Sequence, residues 1–233
     1  MSVSPPPSEI IWRELLCADA AAMRKFYSAV FGWRFVDEHA EDFAWGNGAG
    51  VYGLISTEDG VQGGLTQVQA EYPTGWCSYV RVQNVKDMVQ QVANAGGRVL
   101  RAPFNVAGIG ENALFAAPGG AVFGVTKPSY PDAPPKALFP RDVLLAGKPA
   151  LFERFISQIG LGSLLEKQLL EIIETDFMPD DQDRWLPQIA VRDVKETAGA
   201  AQRHDAKDLT IKELGLRKLL ADPAGFQFVV GGE

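Results

Sequence analysis

Two short stretches of the chain carry side chains whose types and spacing could do chemistry. In the first stretch, Glu14 lies two residues after Trp12, and alternation along a strand puts both side chains on one face. A carboxylate placed there could act as a general base or as an unusual metal ligand, so we predict Glu14 as the candidate catalytic residue. The alternative is a Glu14 that pairs with a nearby arginine or lies on the outer face.

The second stretch places three polar or reactive groups on one face of a strand. Cys77, Tyr79 and Arg81 alternate along the chain, so that a thiol, a phenol and a guanidinium would converge. We predict that all three contact a ligand, with the arginine favouring a carboxylate. The alternative is a buried cysteine and tyrosine beside an arginine at the edge of the core.

Four segments of the chain share the elements that would position these residues. Each has a short strand, then a helix, then further strand-like sequence. The opening strands are predicted at Ile10–Cys17, Trp76–Val82, Asp142–Ala146 and Trp185–Val191. The helices begin at residues that can cap or start a helix, which are Asp19, Asn84, Pro149 and Asp193.

The four segments repeat in pairs. The second and fourth match from Trp76 and Trp185 onwards, and the first and third match with Phe26 over Phe155. The chain is therefore interpreted as two copies of a two-module unit. We predict a flexible arm over residues 1–8, a first domain over 9–128, a linker over 129–138 and a more divergent second domain over 139–233.

The third segment is shorter than the others, because few residues separate its helix from the strand at Trp185. Ser163 and Glu166 could cap a second helix that continues through Thr175. The run Leu169–Thr175 could equally form one buried strand. Periodicity does not decide between a short strand and a buried helix of this length.

The composition fits a soluble globular protein, with 46% hydrophobic and 22% charged residues. A net charge of -7 argues against nucleic acid as a partner, and no apolar run is long enough to span a bilayer. The N-terminus lacks the basic and apolar regions of a secretory signal. We predict a cytoplasmic protein that binds a small molecule, could form an oligomer and keeps Cys17 and Cys77 reduced.

Several of these motifs occur together in one known superfamily. The stretch from Trp12 to Leu16, the following Asp19 and the FYSAVFGW run from Phe26 to Trp33 resemble the opening of a glyoxalase or bleomycin-resistance domain. Gly96-Gly97 and the Pro-x-Gly turns at Pro118 and Pro223 are similar too. The chain thus resembles the vicinal-oxygen-chelate superfamily, which also includes extradiol dioxygenases. The resemblance implies an α+β fold of four βαβββ modules in two tandem glyoxalase-like domains, with the third module reduced.

The resemblance also implies where metal ligands would stand. The family places a His or Gln on the first strand of a module, and the matching residues here are Trp12, Cys77, Arg141 and Leu186. It places a Glu on the last strand, and the matching residues are Gly63-Gly64, Gly124 and Val229. His39 lies in a loop-like segment and His204 near a helix end. We therefore predict no standard metal site and no cofactor, with an unusual divalent site as the alternative.

Aromatic residues are concentrated in the first half of the chain, at Trp12, Phe26, Phe31, Trp33, Phe35, Phe43, Trp45 and Tyr52. Most should lie in the core, whereas Trp12, at the first ligand position, should line a pocket. We favour a metal-independent protein that binds a small molecule in an aromatic cleft, as the bleomycin-resistance branch does. The alternatives are a lyase, isomerase or dioxygenase-type enzyme with a non-standard metal site, and a structural or regulatory protein with a degenerate cleft.

Overall fold

The computed structural model describes residues 9–40, 50–106, 109–129, 138–176 and 182–232, without the side chains of residues 39, 40, 50 and 51. The predicted arm, most of the predicted linker, Phe43 and Trp45 lie outside the described residues.

The described chain contains fourteen strands and five α-helices. The strands are β1 (Ile10–Cys17), β2 (Arg34–Ala40), β3 (Gly50–Thr57), β4 (Gly60–Gln67), β5 (Gly75–Arg81), β6 (Arg98–Val106), β7 (Gly110–Ala116), β8 (Val122–Pro128), β9 (Arg141–Ala146), β10 (Leu170–Glu174), β11 (Arg184–Val191), β12 (Lys207–Asp208), β13 (Lys218–Ala221) and β14 (Gln227–Gly232). The helices are α1 (Ala20–Phe31), α2 (Val85–Asn94), α3 (Pro149–Gln158), α4 (Ser163–Glu166) and α5 (Val194–Arg203).

The helix starts confirm the caps predicted from the sequence. The Asp19 carboxylate accepts the backbone N–H of Ala22 at 2.9 Å, and Asp193 accepts that of Glu196 at 2.8 Å. Asn84 caps α2 in the same way, and Pro149 occupies the first turn of α3. These bonds satisfy donors that the first turn of a helix leaves without a partner in the helix.

In the third module, the structure decides between the helix and the strand that the sequence left open. A helix through Thr175 is wrong, because α4 makes a single turn and Gln168 then adopts a φ of 56°. That left-handed residue turns the chain into β10, which buries Leu170 and Ile173. The strand alternative is confirmed. His39 also departs from expectation, since it lies within β2 rather than in a loop.

The described residues divide into two compact units, and each draws on both halves of the sequence. The first unit takes the described parts of Met1–Ile11, Ser78–Pro134 and Val143–Trp185. Its strands include the run β5-β8-β7-β6, with β5 parallel to β8 and the other pairs antiparallel. Helices α2 and α3 contribute to its core, where the Phe123 and Trp185 rings stack with centroids 5.3 Å apart.

The second unit takes the described parts of Trp12–Cys77, Pro135–Asp142 and Leu186–Glu233. It contains the run β2-β3-β4-β1, with β1 parallel to β4, and the run β11-β14-β13-β12, with β11 parallel to β14. Helices α1 and α5 contribute to its core. The fully buried Tyr27 is central there, because its ring packs against Trp33, Trp76 and Phe228.

The Tyr27 hydroxyl connects two distant parts of the sequence within the second unit. It donates to Asp222 at 3.0 Å and accepts from the Trp76 indole N–H at 3.0 Å. Asp222 also accepts the backbone N–H groups of Ala224 and Phe226, so it holds the turn before β14. Burial raises the pKa of the Asp222 carboxyl. This network fixes the turn of the fourth module against α1 of the first.

The architecture is the α+β fold that the sequence predicted, with mixed sheets and few helices. The division into contiguous domains at 9–128 and 139–233 stays a prediction, because compactness in the folded chain does not test which segments fold alone. Among the described residues, no helix is both long and apolar enough to cross a membrane.

Candidate functional site

In the second unit, the predicted residues of β1 lie on the sheet face that points away from the helices. Leu15 and Cys17 belong to the core cluster, so alternation places Trp12 and Glu14 on the opposite face, as predicted. Strand pairing adds Gly64 beside Glu14. We name the surface formed by Trp12, Glu14, Tyr52 and Gly64 the Glu14 face.

A chain of hydrogen bonds joins three side chains of the Glu14 face. The Trp12 indole N–H donates to the Tyr52 hydroxyl at 2.9 Å, and that hydroxyl donates to a Glu14 carboxylate oxygen at 2.8 Å. Only 4% of Glu14 is exposed. A buried carboxylate needs such donors, because burial without them would cost far more than one hydrogen bond returns.

Burial and the nearby Glu14 charge raise the pKa of Tyr52 well above its ordinary value. Tyr52 therefore stays protonated at neutral pH and keeps a proton to donate to Glu14. Deprotonation would set a phenolate directly against a carboxylate. The Tyr52 hydroxyl thus serves Glu14 as a permanent neutral donor.

Gly64 is the residue that makes room for Tyr52. A Cβ added at Gly64 would overlap the Tyr52 hydroxyl and the ring carbons next to it. The backbone of β4 therefore approaches the ring more closely than any residue with a side chain would allow. The superfamily resemblance implies a last-strand ligand at Gly63-Gly64, and Tyr52 covers the second of these two glycines.

The other face of β1 carries an ion pair that the sequence did not suggest. Arg13 Nε lies 2.9 Å from an Asp142 carboxylate oxygen, and both side chains are buried. The Arg13 guanidinium carbon also lies 5.5 Å from the centre of the Phe139 ring. This pair joins the start of β9 to the first strand within the second unit.

In the first unit, the face of β5 that carries Tyr79 and Arg81 also points away from the core, because Val80 belongs to the core cluster. Pairing with β8 sets Tyr79 beside Gly124 and Arg81 beside Thr126. These two arrangements confirm the shared face that the sequence predicted. We name the surface formed by Tyr79, Arg81, Arg101, Gly124 and Thr126 the Arg81 face.

Gly124 repeats on the Arg81 face what Gly64 does on the Glu14 face. A Cβ at Gly124 would come within 2.5 Å of Cε1 in the Tyr79 ring, so only glycine permits the ring to lie there. Gly124 is likewise the superfamily's last-strand ligand position. Both predicted glycine positions are therefore covered by tyrosine rings.

Two arginines mark opposite ends of the Arg81 face. The Arg81 side chain is 10% exposed, and its Nε lies 3.9 Å from a carboxylate oxygen of Glu9. The Arg101 guanidinium carbon lies 3.7 Å from the centre of the Phe104 ring, a cation–π distance. Strand pairing from β6 through β7 puts Arg101 on the same face as Gly124.

Cys77 lies at the end of the β5 segment that belongs to the second unit. Its thiol forms no disulfide and the residue is 1% exposed, and its predicted ligand contact stays a prediction. Cys17 is also free and buried, and burial raises the pKa of its thiol to about 12. Cys17 is therefore a protonated core residue at neutral pH, consistent with the expectation that it is buried rather than reactive.

Three residues of the two faces were missed by sequence reasoning as site residues, namely Tyr52, Arg101 and Thr126. Each reaches its face through strand pairing with a residue far away in sequence. The usable signal was the pair of glycines at Gly64 and Gly124, since an isolated glycine in a strand indicates a close approach by another group.

Comparison with known proteins agrees with this architecture. A family model described as a glyoxalase-like domain matches residues 12–126. The anthracycline biosynthesis protein DnrV of Streptomyces peucetius is 28% identical over 134 residues, which cover 51% of this chain and 46% of that protein. The match thus spans less than half of that relative's length.

Solved structures resemble nearly the whole chain. A mutant of 4-hydroxymandelate synthase from Streptomyces coelicolor aligns with a TM-score of 0.60 at 14% identity, covering 98% of this chain and 93% of that one. The Mn(II)-bound glyoxalase from Novosphingobium aromaticivorans aligns with a TM-score of 0.52 at 16% identity, covering 97% and 82%. At such identities the likeness concerns the fold alone. The domain match shows a glyoxalase-like domain over residues 12–126, and together with the likeness in fold it is consistent with the vicinal-oxygen-chelate superfamily.

Proposed function

We propose that this protein binds a small organic molecule and does so without the divalent metal of its superfamily. The observation that carries the proposal is the pair of glycines at the last-strand ligand positions. Tyr52 covers Gly64 and Tyr79 covers Gly124, so a metal-binding carboxylate has no room at either position unless a ring moves.

Trp12, at the first-strand position of the first module, does not fit a metal either. Trp12 has only an N–H donor and no lone pair to offer, and it already donates to Tyr52. Within the ranges that the structure describes, no three His, Cys, Asp or Glu side chains cluster closely enough to hold a metal ion. Divalent ions in proteins require such donors at fixed spacing.

The relatives support a small molecule as the ligand class. The name of the Streptomyces peucetius relative connects that protein with anthracycline biosynthesis. Sequestration of an organic compound needs an apolar surface and a few oriented polar groups, but no catalyst. The two free cysteines also support the predicted cytoplasmic location, where thiols remain reduced.

A second candidate is a lyase or isomerase in which Glu14 is the base. The hydrogen bond from Tyr52 favours it, because a carboxylate with a fixed neutral donor is oriented for proton transfer. A third candidate is a structural role for the second half of the chain. It is favoured by the packing of Phe228 and Asp222 against Tyr27 of α1.

Elemental analysis tests the proposal directly. The purified chain is measured before and after incubation with Ni²⁺, Zn²⁺, Mn²⁺ and Fe²⁺, then dialysed. We expect far less than one equivalent of each metal. One tightly held equivalent contradicts the proposal, and Glu14→Gln and Cys77→Ser variants then locate its ligands. Arg154→Gln on the exposed face of α3 is the matched control.

A further inference from the structure

The Arg81 face differs from an ordinary sheet surface in its charge. Pairing of β5, β8, β7 and β6 places Arg81, Thr126 and Asn112 on one face, together with Arg101. Among the described positions that this pairing assigns to the face, none is an aspartate or glutamate. Beside the face, Glu9 is 47% exposed, and one of its carboxylate oxygens lies 3.9 Å from Arg81 Nε. The described positions that strand pairing assigns to this face thus include arginines and no acidic residue, although the whole chain carries a net charge of -7.

Thr126 is an independent sign of a ligand on this face. Thr126 is 3% exposed, and its hydroxyl has no hydrogen-bond partner among the residues that the structure describes. A buried hydroxyl without a partner costs free energy, and such groups are rare in native proteins unless something else satisfies them. Thr126 lies between Arg81 and Asn112 across the sheet, so a ligand oxygen at this point would meet both a hydroxyl and a cation.

The spacing of the strands sets the size of the ligand. Tyr79 and Arg81 lie on β5, whereas Arg101 and Phe104 lie on β6, three strand positions away. Three inter-strand steps span about 14 Å, which limits a molecule lying between Tyr79 and Phe104 to a small one. Tyr79 at one end and the Phe104 ring at the other suit an aromatic body.

We propose that the Arg81 face binds the anionic group of a small aromatic carboxylate, with Arg101, Arg81 and the Thr126 hydroxyl as its polar contacts. This inference rests on the proposed function and specifies its ligand class. Arginine donates paired N–H groups to a carboxylate, and stacking on Phe104 holds the Arg101 guanidinium in place before a ligand arrives. Thr126 gains the partner that the ligand-free protein lacks.

Matched pairs of acids and neutral amides test the inference. The probes are benzoate with benzamide, and 2-naphthoate with 2-naphthamide, measured by calorimetry and by saturation-transfer NMR on the full chain. We expect each acid to bind about tenfold more tightly than its amide, because a hydrogen bond to a charged group is worth more than a neutral one. Added salt should weaken only the acids.

Two variants assign the contacts. Arg101→Gln should weaken acid binding about tenfold and leave amide binding unchanged. Thr126→Val should weaken acid binding and raise the Tm of the ligand-free protein, since it removes a buried hydroxyl without a partner. A merely structural role for Thr126 predicts no gain in Tm. Arg154→Gln, an exposed arginine in the same unit, should change neither measurement.

The outcomes separate this inference from the proposed function. Equal binding of acids and amides, or losses no greater than those of Arg154→Gln, would overturn the carboxylate assignment and leave a metal-free binder intact. No binding of any acid up to millimolar concentration would overturn it as well. Stoichiometric metal in the elemental analysis would instead reject the proposed function, whatever the arginine variants show.

Discussion

Each compact unit carries a sheet face on which a tyrosine ring covers a glycine, yet the two tyrosines approach from different strands. Tyr52 lies on β3 and reaches across to Gly64 on β4, so that its hydroxyl end lies over the glycine. Tyr79 lies on β5 directly beside Gly124 on β8, so that one side of its ring, from Cγ to Cε1, lies over the glycine.

The side chains next to the two tyrosines also differ, since one face has a buried carboxylate and the other has an arginine and a threonine. On the Glu14 face the Tyr52 hydroxyl lies where it can donate to a buried carboxylate and accept from Trp12. On the Arg81 face the pairing with β8 and β7 leaves Arg81 and Thr126 in one row. The Glu14 face thus carries a carboxylate that accepts a hydrogen bond from its own tyrosine, whereas the positions paired around Gly124 and Thr126 include two arginines. We therefore expect ligand specificity to depend mainly on the Arg81 face.

The largest expected effect on stability comes from adding a side chain at Gly64 or at Gly124. Gly64→Ala and Gly124→Ala should each lower the free energy of unfolding by about 1–3 kcal/mol, because a Cβ overpacks against the tyrosine ring. Urea unfolding measures both. Gly232→Ala is the matched control, since a Cβ there meets nothing within 4 Å. An unchanged stability in both test variants would mean that the tyrosine rings do not fill the ligand positions.

A smaller effect is expected from Tyr52→Phe, which removes the donor to Glu14. The loss should be about 1.5 kcal/mol, because a buried carboxylate then lacks one of its hydrogen bonds. Urea unfolding of Tyr52→Phe, Glu14→Gln and the double variant forms a cycle that isolates the coupling between the two side chains. Strictly additive losses would show that the Glu14 face is not held together by this bond.

The features that the sequence predicted correctly depend on interactions between residues close together in the chain. The starts of α1, α2 and α5 were predictable, because Asp19, Asn84 and Asp193 bond to backbone groups two or three residues away. The shared faces of β1 and β5 were predictable for a similar reason, since alternation is local. The fold class followed from the order of these elements.

The parts that sequence did not predict depend on long-range pairing. Tyr52 and Glu14 are 38 residues apart, and Arg13 and Asp142 are 129 residues apart. Nothing local in either partner indicates the other. Register also decides which residues of β6 and β8 join the Arg81 face, and the bulges in β6 shift that register. The third module was ambiguous because a single residue, Gln168, turns the chain from helix to strand.

The smallest expected effect concerns how pH acts on the two units. Burial raises the pKa of Asp222 in the second unit and of Asp183 in the first above the ordinary value of 3.8. The folded state then binds the proton more tightly than the unfolded chain, so the contribution of each group is fully present below about pH 4 and is lost as pH rises through the folded pKa. From pH 4 to pH 7, the original chain should therefore lose stability relative to the Asp222→Asn variant and relative to the Asp183→Asn variant.

Asp208 provides a control of opposite sign for that pH series. Burial alone would raise its pKa, but hydrogen bonds from Thr210 and Lys218 lower it. The stability that Asp208 contributes is present above its unfolded pKa and is lost as pH falls through the folded one. Urea unfolding of Asp208→Asn at each pH should thus show the reverse trend. If all three variants shifted in the same direction, burial would not be what distinguishes Asp222 and Asp183 from Asp208.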